Sequence, residues 1–591
     1  MKRIPPYVDI LLMLVLATAA TLPHYFGTDI PGGTDVRNAF YPWWTFAHNQ
    51  LMQGRFPLWE PYQFLGGPFV ANAQSALFSP VTWPTLLLGP RWGLAIHSTL
   101  LLWIGAAGMM VWVWQMRDEE LSTNRRIGAF FAGVAFVFSP YVAVRWWTGH
   151  ITLLTTVMWT PWLLAATLWS LRQPRRWAAY AVSSIPLALI LVSGHPPSAF
   201  YATLPWVVWL VHLALLRNDW RRPLEQFLLA GVVGSMTAAV QLLPVVEILP
   251  YAWSSGQVVT DGFYAFSVRP LYILAALTPA VYSLGLDIVD EMVFSSNVIA
   301  LFGWLLAVVR CKSHGRYLLV TAAVGALLAM GSYTGVYPFL YENVPYFSAI
   351  RLPSRAVFLL LLCIAAGLGE GIANLEDTQP RHLNAALGIT AAIGLAGLAG
   401  LLDYAPTLEM QAIRSVLSGL ISAVLLAVLL RIAFAFWERF GWGAAAAVGA
   451  LLFITAGAGS VPLLQKSFPA DTSPLFEELA GQPPRIATLD DTDLYNAPLL
   501  HPIVNTGGYN PLQIEAYRDL HTIDEGWQPE HAFVLPLFGV DYLLTREPGS
   551  PWEVLETQDD LRLYRVPDPL PVARVVHQIE VGVDDPRGRV L

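Results

Sequence analysis

For most of the chain, apolar residues come in long runs separated by short polar or basic stretches. Runs of roughly 17 to 25 apolar residues are long enough to cross the hydrocarbon core of a bilayer as α-helix. The pattern predicts about thirteen membrane helices. They fall near residues 7–26, 92–116, 127–144, 149–171, 178–193, 198–216, 225–247, 293–310, 317–331, 355–374, 382–402, 412–435 and 440–460. No internal repeat is visible, which disfavours the repeat-built transporter folds. Beyond residue 460 the chain is less apolar, and the runs at 485–489, 540–544 and 561–566 read as strands. The organisation predicted is a helical membrane domain over 1–460 and a small α/β or mainly β domain over 461–591.

Lengths and charges of the connections orient this bundle. Lys2, Arg3, Arg117, Arg125, Arg126, Arg172, Arg175, Arg176, Arg217, Arg221, Arg222, Arg310, Lys312, Arg316, Arg381, Arg431 and Arg439 fall in one set of loops. The opposite set holds only Arg37, Arg55, Arg91, Arg145, Arg269, Arg351 and Arg355. The richer set is expected on the cytoplasmic side. The N-terminus is then cytoplasmic and the C-terminal domain extracytoplasmic. Cytoplasmic connections are short, whereas the outer face has long ones at 27–91, 248–292 and 332–354. Long ordered loops are where function concentrates.

Within 27–91, Pro42 suits the first turn of a helix and Gly54 its end, which predicts a helix over 42–53. Trp43, Trp44, Ala47 and Leu51 share one face, with His48, Asn49 and Gln53 towards the other. The expectation is an amphipathic helix lying in the membrane interface with its tryptophans at headgroup level. Asp35 precedes it, behind Gly32 and Gly33, which permit close backbone approach. Two readings of Asp35 stand side by side: a cap for a turn or helix, or a general base that takes a proton from a hydroxyl. Further along, Glu60, Asn72, Gln74 and Ser75 stand among aromatic residues, prolines and glycines, and Glu60, Asn72 and Gln74 are candidate substrate ligands.

Composition narrows the class. The chain is 55% hydrophobic and 13% charged, far below the charge of a soluble protein. Its net charge of −8 comes with no basic stripe, which argues against a nucleic-acid partner. Cys311 lies in a basic loop and Cys363 in an apolar run; neither has metal-ligand spacing. The basic start, Met1-Lys2-Arg3, precedes an apolar run without a convincing cleavage site and reads as an uncleaved first helix. No P-loop, zinc-binding helix or nucleophile elbow is present. No cofactor is expected, and a divalent metal between Asp35 and Glu60 has no motif to motivate it.

The run GTDVRNAFYPWW, followed by GRFPLWEPYQFLGGPFVANAQSALFSP, resembles the first outer loop of the bacterial YfhO-like membrane protein family, which is assigned to the GT-C class of membrane glycosyltransferases. The matching positions are Asp35, Tyr41-Pro42, Pro57-Leu58-Trp59, Gly66-Gly67-Pro68, Asn72, Gln74 and Ser79-Pro80. Ser193-Gly194-His195-Pro196, Gln241-Leu242-Leu243-Pro244, PYFSAIRLPSRAVFLLL at 345–361, and FGVDYLLT and LRLYRV in the tail are similar too. Glu60 departs from the family's usual asparagine. The resemblance implies a GT-C-like bundle in a bacterial cytoplasmic membrane. It implies transfer of a sugar from a polyprenyl-phosphate-linked donor, and a catalytic aspartate at Asp35. The acceptor expected is a cell-envelope polymer, glycolipid or protein.

Other polar residues at the outer rim complete the expectation. Arg351 and Arg355 flank Pro353, and planar guanidinium groups suit a lipid phosphate. His150 and His195 stand at outer helix ends, as sugar or phosphate ligands or as satisfied structural residues. A transporter or lipid flippase of envelope precursors is the rival reading. Such proteins place ionisable groups near the bilayer midplane, and here they gather at the rim.

Overall fold

The computed structural model describes residues 5–117, 121–174, 176–251, 266–277, 293, 298–310, 313–344, 347, 350, 352–404 and 410–469, and in the tail 485–488, 496, 499–501, 503–505, 535, 539–545, 552–558 and 561–569. The chain divides into two compact units. One comprises Met1–Pro57 and Val70–Ala470, the other Leu58–Phe69 and Asp471–Leu591. The sequence reading assigned all of 27–91 to the membrane domain; residues 58–69 instead belong with the tail.

The first unit is helical. Its helices begin with α1 (Tyr7–Ala20), α2 (Pro23–Phe26), α3 (Tyr41–Met52), α4 (Trp83–Leu88) and α5 (Pro90–Gln115). There follow α6 (Thr123–Val137), α7 (Pro140–Thr148), α8 (Ile151–Met158), α9 (Thr160–Arg172), α10 (Arg176–Val192), α11 (Pro196–Arg217), α12 (Arg221–Thr237) and α13 (Ala239–Ile248). Local chemistry sets several starts. The Ser122 hydroxyl accepts the Arg125 N–H at 3.2 Å to open α6, and Ser139, before Pro140, accepts that of Val142 at 3.4 Å to open α7. Gly149 ends α7 with φ +101°, a left-handed conformation that suits glycine.

This is a multi-pass membrane protein. Among the described residues, seven helices are long and apolar enough to cross a bilayer. They are α5, the α6–α7 pair, the α8–α9 pair, α11, Pro353–Ala373, Pro380–Ala399 and Ile413–Ala435. The α12–α13 pair, bent by 74°, makes an eighth if counted as one span. Seven or eight such helices stand beside the expectation of about thirteen spans. Several apolar runs form shorter helices: α1, α10, Val298–Val309 and His314–Ala329. A terminal helix, Trp442–Leu464, lies where the last span was expected.

In the second unit, β3 (Arg485–Thr488), β4 (Val504–Asn505), β5 (Tyr542–Thr545), β6 (Val554–Gln558) and β7 (Leu561–Arg565) make one sheet, numbered after β1 (Ile30–Pro31) and β2 (Ser467–Phe468) of the first unit. Their order is β4-β3-β5-β7-β6, with β3 parallel to both neighbours and the β5–β7 and β7–β6 pairs antiparallel. Adjacent side chains on a strand point to opposite faces. Ile486 and Leu544 accordingly pack with Ile503, Leu561 and Leu563, while Ala487 and Leu543 pack with Leu535, Val540, Tyr564 and Val566. Residues 58–69 attach to this unit through backbone: Leu65 N–H donates to Asn505 O at 3.0 Å, and Asn505 N–H to Tyr62 O at 2.7 Å.

Candidate active site

The segment carrying Asp35 is clamped at its start. β1 pairs antiparallel with β2, and Gly32 N–H donates to Lys466 O at 2.9 Å. Gly32 has φ +133°. The next residue, Gly33, lies so close to the end of α7 that a Cβ there would overlap the Trp147 carbonyl. From the other side, a Cβ on Gly149 would sit 2.6 Å from Val36 N and 2.7 Å from Asp35 N. The two loops therefore meet backbone against backbone, which only glycine permits at both places.

This apposition brings Asp35 to His150: Oδ2 and Nε2 lie 3.4 Å apart. The Asp35 side chain is 54% exposed and that of His150 16%. Asp35 opens a π-helical turn, Val36–Phe40, that runs into α3, but its side chain makes no capping hydrogen bond. That leaves the capping reading of this residue without its defining contact. His150 is held by its own backbone, since its N–H donates to Arg145 O at 2.8 Å. Arg145 is itself fully buried, with its guanidinium 3.9 Å from the Tyr141 ring centroid. Sequence reasoning counted Arg145 only as an outer-loop charge.

The helix predicted over 42–53 is α3, but its setting is different. Trp43 and Trp44 are fully buried, so they do not lie at headgroup level. Trp44 Nε1–H donates to Ser75 O at 2.8 Å, and its ring stacks on His97, whose Nε2 is 3.0 Å from Thr155 Oγ1. α3 is thus a core element that ties the Asp35 segment to the later part of the same loop.

That later part is a tight turn. Asn72 is buried; its Oδ1 accepts the Gln74 N–H at 3.0 Å, and its backbone oxygen accepts the Ser75 hydroxyl at 2.7 Å. Gln74 contributes its backbone to this turn, and its side chain is half-buried. Gly194 packs on the turn: a Cβ there would meet Ala73 O at 2.9 Å and, on α8, Thr152 Cγ2 at 3.2 Å. His195 follows and caps α11, its Nδ1 accepting the Ser198 N–H at 3.1 Å. That bond fixes Nδ1 as the acceptor. Gly194 thus touches both the Asn72 turn and the first turn of α8, the helix that follows His150 in the chain.

The remaining expected site residues fall elsewhere. Glu60 is in the second unit, where its buried carboxylate accepts the N–H groups of Tyr62 and Gln63 and serves its own turn. Burial pushes its pKa up to about 8, against the pull of those two N–H donors. A folded-state pKa above the usual carboxylate value means that folding takes up a proton. The contribution to stability is full below about pH 4.5 and is lost as pH rises through about 8. Glu60→Gln is therefore expected to raise the melting temperature of the tail unit at pH 8 and to flatten its decline between pH 5 and 8. Differential scanning fluorimetry across that range checks this. Arg355 is half-buried on a 3₁₀ turn, Pro353–Ala356, that leads into the helix Val357–Ala373. Arg351 lies outside the described residues. Among the described residues, no group of three or more His, Cys, Asp or Glu is placed to hold a metal ion.

No protein-family model and no curated protein matches the chain. Its fold does match solved structures. ArnT from Cupriavidus metallidurans superposes with a TM-score of 0.51 at 14% identity, over 95% of this chain and 98% of that one. The arabinofuranosyltransferase AftD from Mycobacteria gives a TM-score of 0.53 at 15% identity, over 92% of this chain but only 35% of AftD. The chain thus spans little more than a third of AftD and nearly all of ArnT. The chain shares the fold of these two proteins.

Proposed function

We propose that this chain is a membrane glycosyltransferase. It moves a sugar from a polyprenyl-phosphate-linked donor to a cell-envelope acceptor on the outer face of a bacterial cytoplasmic membrane, with Asp35 as general base. The observation that carries this reading is the Asp35–His150 contact of 3.4 Å, set by glycine backbones within a GT-C fold. In the step proposed, the acceptor O–H gives its proton to a carboxylate oxygen of Asp35. The acceptor oxygen then bonds to the anomeric carbon, whose bond to the lipid phosphate oxygen breaks with its electron pair leaving on the phosphate. The donor configuration is inverted. His150 orients the carboxylate. Arg355 and Arg351 are assigned to the phosphate, where a fixed cation stabilises charge as it develops.

The membrane orientation belongs to this proposal: N-terminus cytoplasmic, Asp35 and the C-terminal domain outside. Labelling of single cysteines introduced at exposed Leu58 and Val554 by an impermeant maleimide tests it in intact spheroplasts. Modification is expected at both, and protection of both would reverse the orientation.

His150 distinguishes an orienting role from a merely structural one. His150→Gln keeps a side-chain N–H donor and is expected to retain transfer within about tenfold, whereas His150→Ala loses roughly 10²-fold in kcat. Single-turnover transfer from the lipid-linked donor measures both. Equal rates in the two variants would remove His150 from the mechanism. The transporter reading is separated by the same assay, since a flippase yields no glycosylated product at any enzyme concentration.

A further inference from the structure

The other residues of α13 are half-buried or exposed, and the one residue fully buried on it is polar: Gln241, 1% exposed. An outlying helix normally buries apolar side chains, because that is where its packing energy comes from. Here the inward contact is an amide. It follows a break at Ala238 where the helix axis turns by 74°. Broken helices at membrane depth are tolerated where the freed backbone is buried or lines a polar cavity.

Gln241 reaches the backbone of the segment that carries Asn72, and each of the two amides is oriented by one hydrogen bond. Gln241 Nε2–H donates to Val70 O at 3.1 Å, so its Oε1 points away from that bond. Asn72, two residues on from Val70, has Oδ1 engaged by Gln74 N–H at 3.0 Å, so its Nδ2 points away in turn. Neither amide can be flipped without losing its bond. Gln241 Oε1 and Asn72 Nδ2 are both buried without a hydrogen-bond partner. Asn72 is 2% exposed. An unsatisfied buried amide group is unfavourable, so a donor and an acceptor left over on adjoining segments point to a group that satisfies both.

We infer that Asn72 and Gln241 form a recognition pair for a hydroxyl of the donor sugar, an assignment that rests on the glycosyltransferase reading above. A hydroxyl both donates and accepts, and so answers Gln241 Oε1 and Asn72 Nδ2 together. A phosphate monoester or diester oxygen accepts only, and it would leave Gln241 Oε1 facing another acceptor. The turn that carries Asn72 is tied to α3 by the Trp44–Ser75 bond and touches the first turn of α8 through Gly194. The pair thus belongs to the same packed neighbourhood as Asp35 and His150.

The test uses the full chain in nanodiscs with two kinds of probe: bare undecaprenyl phosphate, and undecaprenyl phosphate carrying glucose, mannose or arabinose. Asn72→Asp keeps the oxygen that caps the turn and exchanges the donor for a carboxylate oxygen; Gln241→Leu removes the acceptor together with the N–H that bonds Val70 O. Both variants are expected to weaken the sugar-bearing lipid bound by the wild type about tenfold or more, leaving affinity for the bare carrier lipid unchanged. Equal weakening of both lipids would show a structural role and overturn the assignment. Unchanged affinity for both would mean that the amides are satisfied by solvent, with the same consequence. A wild-type protein that binds no sugar-bearing lipid better than the bare carrier would also overturn it. Failure of the wild type to bind either lipid would instead remove the glycosyltransferase reading beneath it.

Discussion

Asp35→Asn is expected to abolish measurable glycosyl transfer, a loss of roughly 10²–10⁴-fold, while the protein remains folded and its donor affinity is nearly unchanged. The size follows from the role: an amide of the same shape cannot take the acceptor proton. Retention of the fold follows from the structure. The Asp35 side chain is 54% exposed and makes no capping hydrogen bond to the turn it opens, and the amide keeps its shape. Its contact with His150 is half-exposed, and such pairs contribute only about 0–1 kcal/mol. Initial rates with a lipid-linked donor, measured beside the melting temperature, check both halves. A variant that unfolds would point to a structural aspartate, and one with full activity would dismiss the base.

The second large effect comes from a residue with no functional group. Gly33→Ala is expected to reduce transfer by about 10²-fold or more and to lower stability by about 1–3 kcal/mol. The added methyl meets the backbone of Trp147 and Thr148, which no rotamer change can move aside. The loops must separate, and that separation withdraws Asp35 from His150. Gly67→Ala is the control, since a Cβ at Gly67 meets nothing within 4 Å. Activity and melting temperature of the two variants, compared with wild type, decide the point. A Gly33→Ala protein with normal transfer would mean that the backbone apposition does not position the carboxylate.

Much of this was legible in the sequence because it is local. Long apolar runs announced a membrane protein, and alternating runs in the tail coincide with β3, β5 and β7. Gly32 and Gly33 read as permission for close backbone approach, and Gly33 has that approach. What they approach was not legible. Trp147 and Gly149 lie more than a hundred residues away, and nothing local in a Thr-Gly-His break names its partner. The α3 tryptophans show a second kind of limit. Periodicity identifies an apolar face, but a bilayer and a protein core offer that face the same environment. Trp44 is inside because its indole N–H reaches Ser75, a long-range bond.

The broken span and the segment 58–69 were hidden for related reasons. Neither glycine nor proline stands at the bend at Ala238, and the scattered polar residues around it, Ser235, Thr237 and Gln241, do not interrupt the apolar run. Residues 58–69 looked like a continuous part of the first outer loop. Their attachment to the tail unit depends on backbone bonds to Asn505, more than four hundred residues later. The N–H groups of Tyr62 and Gln63 that engage the Glu60 carboxyl were not legible either, because the turn that presents them is set by the same pairing.

The central claim is that an outer-loop carboxylate drives transfer of a sugar from a membrane-borne phosphoester. Its most direct measurement is the profile of polyprenyl-phosphate-linked sugars in cells that lack this chain, complemented by wild type or by Asp35→Asn. The account predicts that one lipid-linked sugar accumulates in the deletion, falls to normal with wild type and stays high with Asp35→Asn. An unaltered lipid profile in the deletion, or equal correction by both proteins, would contradict it.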